Sequence, residues 1–190
     1  MGDWQAATMA IRDIVLYPDD PLTQKAAPCE TVGPDVAQLA ADMFETMETF
    51  DGCGLAGPQV GVSKRILVLH EQEQDQRMCL VDPEITEREG SEAGEEGCLS
   101  LPHVFAMVDR ATRIRVRALD ERGKRLDFEA TGLLARIIQH EVDHLDGVVF
   151  IDRLDILTHE AKLQEWNEVR GQLAPAARAS VAAGELQPTP

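Results

Sequence analysis

The sequence predicts a single mixed domain of helices and antiparallel strands, and three observations support that prediction. From Asp35 to Phe50, apolar residues recur at three- and four-residue steps, as they do along one face of a helix. From Arg113 to Glu129 they alternate with period two on either side of a turn, which indicates a β-hairpin. From Leu133 to Leu145 the chain is apolar enough for a buried helix. A chain of 190 residues can form one such domain and bury about 70% of its unfolded surface.

The composition limits the kinds of binding partner and the cellular compartment that we expect for this protein. The chain has 34 acidic and 18 basic residues, a formal net charge of −16. This charge repels nucleic-acid backbones and anionic membranes, so we expect no specific nucleic-acid partner and no membrane partner. Its four cysteines show no CxxC spacing and nothing at the start resembles a signal peptide, which predicts free thiols in a reducing cytoplasm. The longest aliphatic run, Ile66 to Leu69, is too short to cross a bilayer.

The first third of the chain holds one clear helix. Met1 to Ala10 has no pattern and is expected to fray, and Ile14 to Tyr17 is a short apolar segment stopped by prolines. The helix from Asp35 to Phe50 starts after Gly-Pro and ends at Asp-Gly. The next segment, Gly52 to Gln59, contains three glycines in its first six residues. Taken alone, that composition favours a flexible turn over a ligand-binding loop.

Strands are predicted in the middle of the chain. Arg65 to His70 is one, and Met78 to Val81 is another that Asp-Pro closes. The acidic run from Glu84 to Glu96 favours a solvated loop or an edge strand. In the hairpin, the outward arginines of Arg113 to Ala118 can pair across the strands with acids of Leu126 to Glu129.

Helices dominate the last third. The buried helix runs from Thr131 to about His144, and Gly147 suits a left-handed cap. Val148 to Ile151 is expected to form a strand that packs back on it, and Leu157 to Arg170 an amphipathic helix. The remainder, 174–190, is rich in Ala and Pro and is expected to be a tail.

The buried helix carries the pattern HExxH. Because His140 and His144 are four residues apart, both imidazoles can reach one metal ion. Glu141 lies one step round the helix, where it can take a proton from metal-bound water. Buried imidazoles and a buried carboxylate need partners, so the apolar setting favours a metal site over a chance match.

The third ligand separates the classes of metal site. The metzincin pattern fails because Phe150 stands where its last histidine would be. A thermolysin-like endopeptidase would use a glutamate of the last helix, and a structural ion would need a fourth ligand such as Cys53. Cys98 is the better third ligand, since it lies between a glycine and a leucine just past the charged loop. The candidate glutamates are Glu160, Glu165 and Glu168.

Three segments, GLAxPQ ending at Gln59, EGCLS beginning at Glu96 and QHExDHLxG beginning at Gln139, resemble the signature motifs of peptide deformylases. The resemblance extends from about Tyr17 to Leu154. It implies an α+β fold in which antiparallel sheets wrap around a central metal-binding helix carrying HExxH, with a C-terminal helix. It also implies hydrolysis of the N-formyl group from formyl-methionyl nascent peptides, with transient ribosome contact as a further expectation. Residues 1–173 would form the catalytic domain.

The resemblance also assigns roles to residues. It implies one divalent ion, Fe²⁺ in the cell with Zn²⁺ or Ni²⁺ as replacements, held by Cys98, His140 and His144. Glu141 would act as general base and then as general acid, and the oxyanion would be stabilised by the side-chain amide of Gln59 and the backbone N–H of Leu99. The implied substrate-binding residues are Gly54, Cys53, Gly97, Phe105 and Ile137.

Two positions depart from the family pattern, and two other functions stay open. Gly57 replaces a usual alanine and could loosen the loop that places Gln59, and Phe105 replaces an arginine that contacts the peptide in some members. The alternatives are an HExxH endopeptidase and a related protein acting on another formyl amide.

We also expect Glu96 and Arg110 to lie on neighbouring strands and to pair, which would hold the Cys98 turn.

Overall fold

The protein is described here by a computed structural model that covers residues 10–72 and 75–173. The predictions for Met1–Met9 and for the tail 174–190 concern residues outside the described ranges. The helices and strands are, in chain order, α1 Pro34–Thr49, β1 Gly54–Ala56, β2 Ile66–Glu71, β3 Gln76–Glu89, β4 Glu92–Cys98, β5 Leu101–Arg110, β6 Arg113–Leu119, β7 Arg125–Thr131, α2 Gly132–Leu145 and α3 Ile156–Gln172. Short 3-10 helices lie at Gly57–Val60 and Phe150–Arg153.

One antiparallel sheet of five strands, in the order β1-β2-β3-β6-β7, is covered on both faces. Along β2, Ile66 and Val68 pack with residues of α1, whereas Leu67 and Leu69 pack with residues of α2. A strand buried on both sides has no polar face, which explains the unbroken aliphatic run in β2. The central helix α2 is therefore one of the two layers on this sheet.

A second sheet, formed by β4 and β5, contacts α2 through hydrogen bonds of Arg136 and His140. Its inner face packs on the 3-10 helix Phe150–Arg153 and on α3. Trp166 of α3 is fully buried there, and its indole N–H donates to the Tyr17 carbonyl at 2.9 Å. The α+β fold predicted from the sequence is confirmed, with antiparallel sheets around α2 and a helix at its C-terminal side. None of the described helices is long and apolar enough to span a membrane.

The hairpin and its ion pairs are confirmed. Strands β6 and β7 pair in register, and Arg113 contacts Glu129 at 2.6 Å. Asp127 accepts from Arg115 at 2.8 Å and from Arg117 at 3.4 Å. The arginine row is thus balanced by acids across the strands, and it does not form a free cationic patch.

The acidic segment before the site was expected to be a loop or an edge strand, and it forms two strands. Strand β4 is an edge strand of the small sheet, as expected, whereas β3 lies inside the large sheet between β2 and β6. Strand β3 does not end at Asp82-Pro83 but continues to Glu89, through a register shift between Val81 and Glu84. The shift is a β-bulge in which Asp82 takes a positive φ of 50°. Glutamates of β3 beyond the bulge lie opposite the arginines of β6, so cross-strand charge pairing offsets their poor strand propensity.

The segment from Val148 to Ile151 is not a strand, so that prediction was wrong. It enters the 3-10 helix Phe150–Arg153, where the Val149 N–H donates to the Asp152 carboxylate at 2.9 Å. A short apolar run of this kind indicates that the segment is buried, but it does not indicate which backbone conformation the segment adopts. The last helix is confirmed, although Leu157, assigned to its apolar face, is 82% exposed.

Candidate metal centre

The ends of β4 and α2 bring three metal-binding side chains together. Donor atoms of Cys98, His140 and His144 all lie within 4.8 Å of one another. Because the histidines are four residues apart on α2, both rings lie on the same side of the helix, with centroids 5.0 Å apart. The thiol of Cys98 lies 3.2 Å from Nε2 of His144. One thiol and two imidazoles at this spacing can hold one divalent ion.

A tight turn between β4 and β5 presents the thiol. The strand register shifts between Gly97 and Cys98, so that Cys98 pairs with Leu101. The backbone N–H of Ser100 donates to the thiol sulfur at 3.4 Å, and the Ser100 carbonyl accepts from the Tyr17 N–H at 3.0 Å. The turn is therefore held both by its own backbone and by the N-terminal segment.

Glu96 orients His140 from the side away from the donor cluster. Its Oε2 lies 2.9 Å from Nδ1 of His140, which leaves Nε2 of that ring as the atom that could bind an ion. Burial alone would raise the pKa of Glu96, but hydrogen bonds from His140 and Arg110 outweigh burial and lower that pKa to about 2. Glu96 is therefore ionised at neutral pH and can hold the imidazole N–H.

The expected pairing of Glu96 with Arg110 is confirmed. Nε and Nη2 of Arg110 donate to the two oxygens of Glu96 at 2.9 and 3.0 Å. The third nitrogen, Nη1, donates to Asp143 at 2.6 Å, and Asp143 also accepts from Nε of Arg153 at 3.0 Å. Charges as deeply buried as these are tolerated because each has a partner. The network ties β4, β5, α2 and the 3-10 helix together behind the donors.

Glu141 lies beside the donors with one oxygen unpartnered. Its side chain is buried, and among the described residues nothing hydrogen-bonds to its Oε2. Burial raises the pKa of Glu141 to about 7. The carboxylate rests against Gly54 of β1, where an added Cβ would lie 2.4 Å from Oε1. A carboxyl group with a pKa near neutrality can both accept and return a proton.

The segment from Gly52 to Gln59 is not a flexible turn. The prediction that was based on its glycine content alone was therefore wrong. The segment contains β1, which pairs with β2, followed by a buried 3-10 helix. Oε1 of Gln59 accepts from the Ala56 N–H at 2.8 Å. This bond directs Nε2 of Gln59 to the Cys98 thiol at 3.5 Å and to the Ser100 hydroxyl at 3.3 Å. The amide N–H groups therefore face the donor cluster.

At position 57, glycine replaces the usual alanine and packs closely against neighbouring backbone. A Cβ at Gly57 would lie 2.7 Å from the Lys64 carbonyl and 2.8 Å from the Val62 carbonyl. The Gly57 carbonyl also accepts from the Val62 N–H at 2.9 Å. The backbone approach that glycine permits thus fastens the loop to the residues before β2.

The remaining predicted site residues surround the donors at different depths. Leu99 occupies the turn directly after Cys98 and is partly buried. Cys53 is exposed, and burial of part of its thiol raises its pKa. Phe105 is 52% exposed and its ring covers Gly97, where a Cβ would lie 2.6 Å from the ring edge. Ile137, one turn before His140, is buried in the core between α2 and the large sheet.

The rival ligands lie outside the donor cluster. Among the described residues, the cluster includes neither Cys53 nor any glutamate of α3. Glu165 instead pairs with Lys162 at 2.8 Å, and Glu160 is 4.0 Å from His159. The geometry therefore favours neither the thermolysin-like arrangement nor a closed four-ligand structural site.

Four residues with no predicted role also support the site. They are Ser100, Arg136, Asp143 and Arg153. Asp143 could have been singled out, because it lies inside QHExDH and is charged in an apolar helix. Ser100 could have been singled out in the same way, because it lies inside EGCLS. Arg136 and Arg153 act through backbone carbonyls or through partners distant in sequence, and such contacts leave no spacing pattern.

Comparison with known proteins agrees with this geometry. A family model described as polypeptide deformylase matches residues 11–160. The peptide deformylase of Alkalilimnicola ehrlichii is 50% identical over 151 residues, 78% of this chain and 85% of that protein. The one from Thermodesulfovibrio yellowstonii is 46% identical over 155 residues, 80% of this chain and 94% of that protein.

Among solved structures, the peptide deformylase from Thermus thermophilus superposes with a TM-score of 0.78 at 40% sequence identity. The alignment covers 90% of this chain and 99% of that one. Because the family model and both relatives span most of the chain, including α2 and the Cys98 turn, this protein belongs to the polypeptide deformylase family.

Proposed function

We propose that this enzyme hydrolyses the N-formyl group of formyl-methionyl nascent peptides with one divalent metal ion, releasing formate. The observation that carries the proposal is the buried Glu141 beside three clustered donors, with Oε2 lacking a hydrogen-bond partner among the described residues. Family membership supports the reaction. Because the proposed substrate is a nascent peptide, the proposal includes a cytoplasmic location and transient contact with the ribosome. Residues 1–173 would form the catalytic domain.

The donor set fits a catalytic divalent ion. Burial, and then the neighbouring His140, lower the pKa of His144, so this ring stays neutral and keeps a lone pair to donate. Three protein donors leave a coordination position for water or substrate. We propose Fe²⁺ in the cell on the basis of the family resemblance, and Zn²⁺ or Ni²⁺ as replacements because a borderline-soft thiolate and imidazole set accepts all three. A bound ion would supply a Lewis acid that activates water and polarises a carbonyl.

Glu141 would move the protons. As a carboxylate it would accept a proton from the attacking water, whose oxygen forms a bond to the formyl carbon. As the C–N bond breaks, Glu141 would return that proton to the leaving amine of methionine. The products are formate and a peptide with a free N-terminus, and the carboxylate is regenerated.

Gln59 and Leu99 would stabilise the negative charge that develops on the formyl oxygen. Nε2 of Gln59 is already directed towards the donors because its Oε1 is held by the Ala56 N–H. The Leu99 N–H belongs to the turn that fixes Cys98. Donors fixed before the reaction need no reorganisation, which makes such stabilisation effective.

The residues around the donors would hold the peptide. Gly54, which touches Glu141, offers backbone groups at the free edge of β1 to an extended chain. Cys53, Gly97 and Ile137 would border the methionine side chain. Phe105 would meet the peptide further along, with an apolar ring where some relatives have a charged side chain.

The decisive experiment measures formate release. The purified enzyme would be given a formyl-methionyl peptide, the matched acetyl-methionyl and free-amine peptides, and a formylated peptide that starts with another residue. Formate from the first substrate alone supports the proposal. Equal release from both formylated peptides would indicate another formyl amide as the substrate. Internal cleavage of the peptides would favour an endopeptidase.

A further inference from the structure

Arg136 of α2 bridges the metal-binding helix to both strands of the small sheet. Its guanidinium donates to the Val108 carbonyl at 2.8 Å, to the Glu92 carbonyl at 2.6 Å and to the Gly94 carbonyl at 3.4 Å. Its Nη1 also donates to Oε1 of Glu96 at 2.8 Å. Only a planar guanidinium offers enough donors in fixed directions for such a set of acceptors.

The contact with Glu96 connects Arg136 to the donor cluster. Oε1 of Glu96 accepts from Arg136 and Arg110, whereas Oε2 accepts from Arg110 and faces Nδ1 of His140. The carboxylate is thus held at both oxygens and cannot rotate without breaking a charged hydrogen bond. Its orientation in turn sets the plane of the His140 imidazole.

Gly94 provides a second, independent indication that the guanidinium position is specified. A Cβ at Gly94 would lie 2.7 Å from the guanidinium carbon of Arg136. Any side chain at Gly94 would therefore push the guanidinium out of its place between the strands. The chain has glycine where the arginine needs the room.

We propose that Arg136 is a positioning residue that acts through Glu96 to hold His140 in its ligating orientation. The inference rests on the proposed metal centre. Arg136 itself touches neither the donors nor the substrate groups named above. Its loss should weaken metal binding while the three donors and Glu141 remain in place.

The test is a double-mutant cycle read out as Zn²⁺ affinity, measured by competition with a chromophoric chelator. Arg136→Met should weaken Zn²⁺ binding about tenfold, at the lower end of what removing a ligand's hydrogen-bond partner costs. In a Glu96→Gln background the same substitution should change the affinity less than about twofold, because Glu96, the residue through which Arg136 acts, has already been altered. Gly94→Ala, which keeps the arginine but displaces it, should weaken binding in the same direction.

The matched control is Arg65→Met. The Arg65 side chain is 14% exposed against 16% for Arg136, and it also joins a carbonyl and a carboxylate of the α2 end, Leu145 at 3.1 Å and Asp146 at 2.7 Å. It should lower the melting temperature of the metal-free protein and leave Zn²⁺ affinity unchanged.

Three results would overturn the inference. Equal losses of affinity in the wild-type and Glu96→Gln backgrounds would mean that Arg136 merely holds the strands to the helix. An unchanged affinity in a folded Arg136→Met or Gly94→Ala protein would mean that it plays no part in binding. A wild-type protein that binds no Zn²⁺ would instead reject the proposed metal centre, and the inference with it.

Discussion

Replacing Glu141 by Gln should stabilise the metal-free protein although it removes activity. Burial raises the pKa of this carboxyl group from its usual 4.5 to about 7. The folded protein therefore keeps the proton up to about pH 7, whereas the unfolded chain releases it near pH 4.5. The free energy of unfolding of the wild type consequently falls as pH rises through this window. At about 1.4 kcal/mol per pKa unit, the loss reaches roughly 3 kcal/mol above pH 7.

Urea unfolding of metal-free wild type and Glu141→Gln, from about pH 5 to about pH 8.5, measures this difference. The variant should gain on the wild type as pH rises and the gain should level off above about pH 7. Metal-free protein is required because a bound cation would itself favour the ionised carboxylate. Glu160→Gln, on the exposed face of α3, is the control and should show no such trend. A stability difference that is the same at every pH would refute the assignment of the raised pKa to Glu141.

The same variant separates metal binding from turnover. Glu141→Gln should retain its metal and lose at least about 100-fold in kcat, since general acid–base groups contribute about that much or more. Metal content by mass spectrometry and formate release would be measured on the same preparation. Normal turnover at neutral pH would mean that Glu141 is not the proton acceptor.

Three further predictions concern the ligands and the packing around them. His144→Ala should lose the bound metal while His159→Ala keeps it, and wild-type affinity in the first protein would remove His144 from the ligand set. Protein prepared with Fe²⁺ in the absence of air should be the most active form, and the Ni²⁺ form should keep its activity in air. The Fe²⁺ form should lose activity in air as Cys98, rather than the buried Cys79, is oxidised. If peptide mass spectrometry finds Cys98 still reduced after the activity is lost, metal release is the cause instead. Gly54→Ala should lower kcat at least about tenfold with metal content unchanged, because its Cβ would fall 2.4 Å from the neighbouring carboxylate, and an unaltered kcat would show that this contact is not needed.

Features with a short period in sequence could be predicted. The spacing of His140 and His144 on one helix face and the alternation in β6 and β7 both follow from backbone geometry, and the structure has both. Cys98 could be favoured as third ligand but not placed, because the tight turn that presents it arises from a register shift between β4 and β5. It took the joint occurrence of three motifs to connect Cys98 with α2.

Features that depend on distant contacts could not be predicted. Gly52 to Gln59 has the composition of a flexible turn, yet pairing with β2 and packing against Lys64 make it rigid. Val148 to Ile151 has the composition of a strand, yet it enters a 3-10 helix that packs against the small sheet without pairing with it. Arg136 contacts three carbonyls, and every residue type has a carbonyl, so no spacing of residue types reveals it.

The site divides into two layers that differ in how their polar atoms are satisfied. Behind the donors, Glu96, Arg110 and Asp143 are buried and paired at short distances. Beside the donors, Oε2 of Glu141 is buried with no hydrogen-bond partner among the described residues. Unpaired buried groups cost folding free energy and are retained where a ligand or a reaction uses them. The paired layer fixes β4 and β5 to α2 behind the donors, whereas the unpaired oxygen belongs to the carboxylate that would exchange a proton with water and the leaving amine.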